Sequence, residues 1–172
     1  INYLLKIKDN NISHSICHMR VDSFGDDRNT YDWHQERSYY PQNEDGNGIV
    51  VWIALQDIKK KLGPLNALKG SHKAGFVKYK TFKKKNFSTQ KKIPVKIIDK
   101  YKKGLVEFNI KAGSAIFMNM HTFHKSGKNY SNKFRLSIVA RYHDNSKGDF
   151  RPLYDTGKYN YSKIKNSDLN FF

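Results

Sequence analysis

The 172-residue chain contains a single cysteine, Cys17, and no long apolar run. One cysteine excludes an intrachain disulfide and a zinc site built from cysteines, and it fits a reducing compartment. No apolar stretch approaches the roughly 18 residues that a membrane-spanning helix requires. The start, Ile1 to Lys6, has neither the long apolar core nor the small-residue cleavage site of a secretory signal. We therefore expect a cytoplasmic protein that does not bind membranes.

Acidic residues are scarce, because 15 Asp and Glu stand against 32 Lys and Arg, giving a formal net charge of +17. Such an excess can mark a surface for nucleic acid, membrane or an acidic substrate. The lysines are scattered, however, with short runs only at Lys59–Lys61 and Lys83–Lys85. Asn, Ile, Tyr and Phe are also abundant, as in proteins encoded by AT-rich DNA. We interpret the charge as a solvated surface and do not expect nucleic acid as a partner.

Short strand-like segments separated by turn residues dominate the chain. Hydrophobic residues make up 38% of the sequence, which is enough for one domain with a core. No alternating helix pattern or internal repeat interrupts the strands, so we predict an all-β fold with minor helices, a sandwich, jelly roll or barrel. The predicted core covers residues 13–143, with a Lys-rich insertion or lid at 76–103 and an extended tail at 144–172. The strand segments are 13–21, 49–55, 65–68, 105–110, 115–120 and 134–143.

A candidate metal site begins at Trp33-His34-Gln35-Glu36. On an extended segment, His34 and Glu36 point the same way because side chains alternate between faces. One imidazole and one carboxylate are two thirds of the 2-His-1-carboxylate set that is diagnostic of non-haem Fe(II) oxygenases. The chain offers a distant second histidine in His124, with His121 as its main rival. Alone, the His-x-Glu pair is weak support, since such pairs are more often structural.

A 2-oxoglutarate co-substrate would also need a cation for its far carboxylate. Arginine suits this role because its planar fork binds carboxylate in a bidentate way. Arg135, which shares a predicted strand face with Ser137 and Val139, follows His124 at the distance of about one strand. Ser126, in the turn after His124, could add a hydroxyl. We leave His14, His18 and His143 unassigned, place His72 in a turn, and expect Asp57 and Glu107 to be surface charges.

Five stretches in order resemble the phytanoyl-CoA dioxygenase-like family of 2-oxoglutarate oxygenases, over roughly residues 31–143. Each stretch is short, but their order and gaps are specific. The stretches are Trp33-His34-Gln35-Glu36; Val51 to Asp57; Gly63-Pro64-Leu65 leading to Lys69-Gly70-Ser71-His72-Lys73; Ala112-Gly113-Ser114; and His124-Lys125-Ser126-Gly127-Lys128-Asn129 with Arg135.

The resemblance implies a double-stranded β-helix (a cupin-like jelly roll) that binds Fe(II), 2-oxoglutarate and dioxygen. It also implies a reaction that hydroxylates a small organic substrate and releases succinate and carbon dioxide. It selects His34, Glu36 and His124 as the catalytic metal ligands. Arg135, with Ser126, Trp52 and Ser137, becomes the expected binding set for 2-oxoglutarate.

The chain departs from the family in two respects. The family usually has Asp where this chain has Glu36, whose extra methylene shifts the carboxylate. Members also usually carry a longer N-terminal region, so we expect a single oxygenase domain that lacks part of it. Two alternatives stay open at this point: an oxygenase acting on nucleic acid or another anionic partner, which clustered lysines around the iron would favour, and a non-catalytic β-sandwich binding module.

Overall fold

Antiparallel strands make up most of the regular structure in the computed structural model, which describes residues 1–8, 11–25, 30–40, 42–83 and 89–151. The part of the predicted tail from residue 152 onward lies outside these ranges. Two short helices, α1 (Asn2–Leu5) and α2 (Val95–Asp99), accompany the strands. No helix in the described ranges is long and apolar enough to cross a membrane. The strands are β1 (Ile12–Asp22), β2 (Gly48–Ala54), β3 (Asn66–Leu68), β4 (Lys80–Lys83), β5 (Thr89–Lys92), β6 (Leu105–Glu107), β7 (Ala115–Asn119), β8 (His124–Lys125) and β9 (Arg135–Asp144).

Two antiparallel sheets form the body of the molecule, and the prediction of an all-β jelly roll is confirmed. The larger sheet has the strand order β1-β9-β2-β7, and the smaller sheet has the order β6-β3-β8. Strands β4 and β5 form a separate hairpin. Strands that are neighbours in a sheet are distant in sequence, as β1 with β9 and β2 with β7, so the fold depends on long-range pairing.

The main core lies between the two sheets and follows the two-residue period of the strands. Val50, Trp52 and Ala54 of β2 face inward and pack with residues of β7, β9 and the smaller sheet. The alternate residues Ile49 and Val51 are also buried, because α1 and neighbouring residues cover that part of the outer face. This two-sided burial explains the continuous apolar run at 49–55, since a strand covered on both faces has no polar side.

The segment 76–103, which we expected to be an insertion, contains the hairpin and α2. Ile93 and Ile98 are buried against Leu68 and Phe123, so this part of the segment contributes to a core cluster. The sequence around these two apolar anchors alternates only weakly and lies in a Lys-rich stretch, so it did not indicate a buried element. A lid function for the segment stays a prediction, and residues 84–88 lie outside the described ranges.

His143, near the end of β9, is a buried histidine on the inner face of the larger sheet, with 1% of its surface exposed. Burial, together with the positive charge of Arg141, lowers the pKa of His143 to about 4. Its backbone lies opposite Gly48, where a Cβ would come within 3.1 Å of the His143 Nδ1 atom. The imidazole is therefore packed as a neutral group.

We predict that His143 makes stability depend on pH. Because the folded pKa lies below that of the unfolded chain, the unfolded state binds the proton more tightly, and stability falls as pH drops from about 6.5 toward 4. Between pH 7 and 4.5 the loss should reach about 2 kcal/mol. Denaturant unfolding of His143→Gln should show a smaller loss over this range than wild type. The exposed His14→Gln control should behave as wild type, and equal losses in all three proteins would contradict the prediction.

Candidate metal centre

His34 and His124 are brought together by their backbones. The His34 N–H donates to the His124 carbonyl at 3.0 Å, and the His124 N–H donates to the His34 carbonyl at 3.1 Å. This isolated bridge places His34 beside β8, whose other neighbour is β3. The two imidazole rings consequently have centroids 4.2 Å apart, and both residues are buried. Pairing between two segments that are distant in sequence thus brings together the two histidines that the predicted metal site needs.

Both imidazoles are oriented by backbone carbonyls. Nδ1 of His34 lies 2.6 Å from the carbonyl of Asp32, and Nδ1 of His124 lies 2.9 Å from the carbonyl of Thr122. A carbonyl can only accept, so Nδ1 carries the proton in each neutral ring and Nε2 presents its lone pair. Histidines that bind metals are held in this way, with the second ring nitrogen donating to an oxygen.

Glu36 completes the cluster from the same side of the chain as His34. Its Oε2 lies 3.3 Å from Nε2 of His124 and 3.8 Å from Nε2 of His34. The side chain of Gln35 points the other way, where its amide donates to the carbonyls of Gly75 and His121. The alternation predicted for this motif is present, although Glu36 itself begins a short 3-10 helix, Glu36–Ser38, rather than continuing a strand.

The second carboxylate oxygen of Glu36 is held by Arg141. Nε and Nη2 of Arg141 both lie 2.6 Å from Oε1, and the guanidinium stacks 4.3 Å from the centre of the Tyr40 ring. The two oxygens therefore have separate roles: Oε1 is bound by the arginine, and Oε2 faces the imidazoles. This arrangement gives the Glu36 side chain one defined carboxylate position.

Electrostatics keep the cluster in the form that binds a cation. Burial raises the pKa of Glu36, but Arg141 and the two imidazoles outweigh it, so the pKa lies well below its ordinary value. Burial and the neighbouring His124 lower the pKa of His34. Glu36 is thus charged and His34 neutral near pH 7, which are the protonation states that metal ligands need.

The donor set fits a single metal ion. One ligand atom from each of His34, Glu36 and His124 lies within 4.8 Å of the other two. In this arrangement two imidazole lone pairs face a carboxylate oxygen, and a divalent cation between them would satisfy all three groups. Two histidines and one carboxylate with open positions are typical of non-haem Fe(II) oxygenases.

The sequence led us to expect that the guanidinium group of Arg135 is free to bind a carboxylate, but in the structure it is largely occupied by protein partners. Its Nη2 and Nε donate to Oδ2 of the buried Asp22, at 2.8 and 3.1 Å. Its Nη1 donates to the carbonyls of Gly63 and Gly127. Four of its five N–H groups thus have protein partners, which leaves one for a ligand. Recognition of a carboxylate by Arg135 in a bidentate way is not compatible with these contacts.

Two glycines allow the carbonyls to converge on Arg135. Gly63 has φ of +76°, and a Cβ there would lie 2.6 Å from the Lys128 carbonyl carbon. A Cβ on Gly127 would lie 2.2 Å from the Pro64 carbonyl oxygen. Only glycine fits this close approach of two loops. The stretches around Gly63-Pro64 and Gly127 therefore both bring a backbone carbonyl to Arg135.

A cavity of about 390 Å³ contains the cluster. Trp52, Ser126 and Arg135 line it, whereas Ser137 is fully buried, is not among the lining residues and has a hydroxyl without a hydrogen-bond partner in the described part of the chain. The sequence prediction for Ser137 therefore lacks support in the geometry. The lining also includes residues to which the sequence analysis assigned no role: His18, Arg20, Tyr31, Tyr39, Tyr40 and Arg141.

The strand period could have revealed some of the missed residues. Arg141 is six positions after Arg135 on β9, so both lie on the inner face. Arg20 and Asp22 have the same even spacing on β1, and Asp22 is opposite Arg135 in the sheet register. Nη2 of Arg20 donates to Oδ1 of Asp22 at 2.9 Å, so this carboxylate bridges two arginines.

The remaining polar candidates lie apart from the cluster. His121, the rival ligand, stacks on Phe76 with ring centroids 6.3 Å apart and does not line the cavity. His72 lies in a short 3-10 helix, and Asp57 and Glu107 are exposed, as expected. Asp57 has a local structural role, because it accepts hydrogen bonds from the Lys111 ammonium and the Ala112 N–H.

A profile of the phytanoyl-CoA dioxygenase (PhyH) family matches residues 8–137. The chain belongs to this family. The resemblance inferred from five short stretches is thereby confirmed. A search of curated proteins found no match to this chain.

Solved structures agree on the fold. EvdO2 from Micromonospora carbonacea var. aurantiaca is 17% identical with a TM-score of 0.65, covering 82% of this chain and 55% of its own, and it is also known complexed with 2-oxoglutarate. The α-ketoglutarate-dependent epimerase SnoN from nogalamycin biosynthesis is 20% identical with a TM-score of 0.63, covering 91% of this chain and 55% of its own. The carbocyclase SnoK from the same biosynthesis is 17% identical with a TM-score of 0.58, covering 83% and 57%.

This chain thus spans little more than half the length of the solved structures that it matches. Membership of the PhyH family, the neighbour bound to 2-oxoglutarate and the His/Glu/His cluster agree on the expected cofactors, which are Fe(II), 2-oxoglutarate and dioxygen.

We predict that Arg141 positions Glu36 for the metal. Arg141→Met should weaken anaerobic Fe(II) binding about 10- to 100-fold, because partners that orient a ligand typically contribute that much. In a Glu36→Asp background the shorter carboxylate cannot reach both the guanidinium and the imidazoles, so the same change should cost less than about threefold. Isothermal titration of the four proteins measures this coupling.

Arg37→Met provides the matched control, because Arg37 follows Glu36 but stacks on Phe76 outside the cavity. It should leave metal affinity unchanged. Equal effects of Arg141→Met in the two backgrounds would show that Arg141 does not act through Glu36.

Proposed function

We propose that this chain is the catalytic part of an Fe(II)- and 2-oxoglutarate-dependent dioxygenase that hydroxylates a small organic substrate. The observation that supports this most is the orientation of His34, Glu36 and His124, whose Nε2, Oε2 and Nε2 atoms face one another within a cavity. Two ring nitrogens fixed by carbonyls and a carboxylate fixed by an arginine form a preorganised site rather than an incidental cluster.

His34, Glu36 and His124 would hold the iron through these atoms. When bound, the iron supplies the place at which dioxygen and 2-oxoglutarate react, giving succinate, carbon dioxide and oxidation of the substrate. Arg141 keeps the Glu36 carboxylate ionised and leaves Oε2 toward the metal position. The cavity lining of Val50, Leu65, Met118 and Val139 limits the access of water to the reacting groups.

The 2-oxoglutarate site is proposed around Arg135 and Ser126, with Trp52 as an apolar wall. Arg135 offers its one remaining N–H and the positive charge that it shares with Asp22, and Ser126 offers its hydroxyl. Arg20 lines the same cavity and adds positive charge beside this pair. The far carboxylate is thus met by several donors in place of a single bidentate fork.

Hydroxylation is the finer part of this proposal. The fold also serves proteins named as an epimerase and a carbocyclase, so the product must be determined for this chain. We propose a small molecule as substrate because the cavity of about 390 Å³ is within the range of small-ligand sites. A cytoplasmic location also stays a prediction.

The test is an anaerobic titration with Fe(II) and 2-oxoglutarate, followed through the visible charge-transfer band of the chelate. Wild type should show the band, and His124→Ala should lose it and bind iron more than about 100-fold more weakly, since even outer partners of a ligand contribute 10- to 100-fold. His72→Ala is the matched control, because His72 is exposed and outside the cavity. Wild-type protein without the band and without iron affinity would refute the proposal.

A separate variant tests the proposed 2-oxoglutarate site. Asp22→Asn/Arg135→Gln removes both charges of the buried Asp22–Arg135 pair, so neither is left buried alone, and Arg20, the second partner of Asp22, keeps contact with solvent. The double variant should bind Fe(II) as wild type does and lose the band produced by 2-oxoglutarate. A normal band in the double variant would place the co-substrate elsewhere. Succinate release, and incorporation of labelled oxygen from dioxygen into the product, then test hydroxylation during substrate screening.

A further inference from the structure

A second concave surface lies next to the metal cavity, with a volume of about 1220 Å³. It is formed by the 3-10 helix Lys60–Leu62, the hairpin of β4 and β5, and the loop after His124. We call it the lysine groove, because its lining includes six lysines and only two carboxylates, Asp32 and Glu107. The six lysines are Lys60, Lys61, Lys80, Lys92, Lys125 and Lys128.

Only one of the six lysines forms an ion pair with another described residue. Lys92 forms an ion pair with Asp32 at 2.6 Å. Among the described residues, no carboxylate lies within ion-pairing distance of the other five lysines. Lys125 and Lys128 instead extend over the Trp33 and Tyr130 rings, with Nζ 5.0 and 5.5 Å from the ring centres. Like charges gathered along a concave wall raise the local concentration of anions.

The groove and the metal cavity adjoin each other. Tyr31 and Ser126 line both spaces. The Ser126 N–H donates to the Tyr31 carbonyl at 3.0 Å, and the Tyr31 N–H donates to the Ser126 hydroxyl at 3.2 Å. This connected pair of residues forms the boundary between the two spaces. A molecule seated in the groove is therefore held beside the candidate iron site.

The types of cation differ between the two spaces. The cavity contains Arg20, Arg135 and Arg141, whereas the groove contains lysines and no arginine. The arginine fork binds carboxylate or phosphate in a fixed bidentate geometry, whereas lysine binds phosphate as a flexible point charge, so several lysines can adapt to the oxygens of a phosphorylated ligand. Apolar side chains at the groove wall, including Phe82 and Val95, can contact the body of such a ligand.

We propose that the lysine groove binds a phosphorylated part of the substrate and so places the remainder of that molecule toward the metal cavity. The placement of the substrate toward the metal cavity rests on the proposed oxygenase function, whereas phosphate binding alone does not require iron. A volume of about 1220 Å³ accommodates a compact ligand bearing one or more phosphates. The scattered lysines of the sequence thus gather on one rim of the site.

The experiment uses metal-free protein and inorganic tripolyphosphate, measured by isothermal titration at low and moderate salt. Lys60→Glu/Lys128→Glu alters two exposed groove lysines. Lys100→Glu/Lys103→Glu, at exposed positions outside the groove, is the matched control with the same change in formal charge. Wild type should bind saturably, the groove variant at least about 10-fold more weakly, and the control within about threefold of wild type.

Each outcome decides the proposal. Equal weakening in both variants would assign the binding to overall charge and overturn the groove, as would the lack of saturable binding by wild type. If a single-stranded oligonucleotide binds far more tightly than tripolyphosphate or a mononucleotide, with an affinity that rises with its length, the ligand of the groove is nucleic acid and the small-ligand proposal is overturned. The polyphosphate titration uses metal-free protein, so its result does not depend on iron binding. If the Fe(II) titration fails while polyphosphate still binds, the oxygenase function is rejected and the anion site is retained.

Discussion

The two backbone hydrogen bonds between His34 and His124 are the constraint on which the site depends, because they bring together residues that are 90 positions apart. Side chains alternate across a strand, so a slip of this pairing by one residue would turn an imidazole away from the cavity. Neighbouring contacts hold the register: β3 pairs Ala67 with His124, and the Phe123 N–H donates to the buried Ser71 hydroxyl. Gln35 anchors the opposite side of the motif.

Two buried arginine–carboxylate pairs organise the charge around this bridge. Arg135 with Asp22 and Arg141 with Glu36 both extend from the inner face of β9, so one strand carries two of the three arginines that line the cavity. Breaking such a pair leaves an uncompensated buried charge, which is far more costly than replacing both members. Asp22 also occupies two N–H groups of Arg135 and offsets its charge. The one N–H that remains on Arg135 must therefore act together with neighbouring donors to bind a co-substrate carboxylate.

The sequence predicted the strands well, for local reasons. Alternation along 134–143 and the apolar run at 49–55 are local patterns, and both became strands of the larger sheet. It predicted less at 76–103, where the surrounding stretch is rich in lysine and the weak alternation around Ile93 and Ile98 did not indicate a buried element. It also assigned Arg135 a free fork, because nothing near Arg135 in the chain indicates that Asp22, 113 residues earlier, is its partner.

By itself, the sequence determined the chemistry that is available: an all-β chain with His34, Glu36 and His124 as candidate ligands and a large excess of lysine. Tertiary structure decided which of these groups meet. It joined the two imidazoles through a backbone bridge, gave Oε1 of Glu36 to Arg141, closed Arg135 onto Asp22, and gathered lysines from four separate segments into one groove. The physical reason is that strand alternation is a local property, whereas partners across a sheet depend on topology and register.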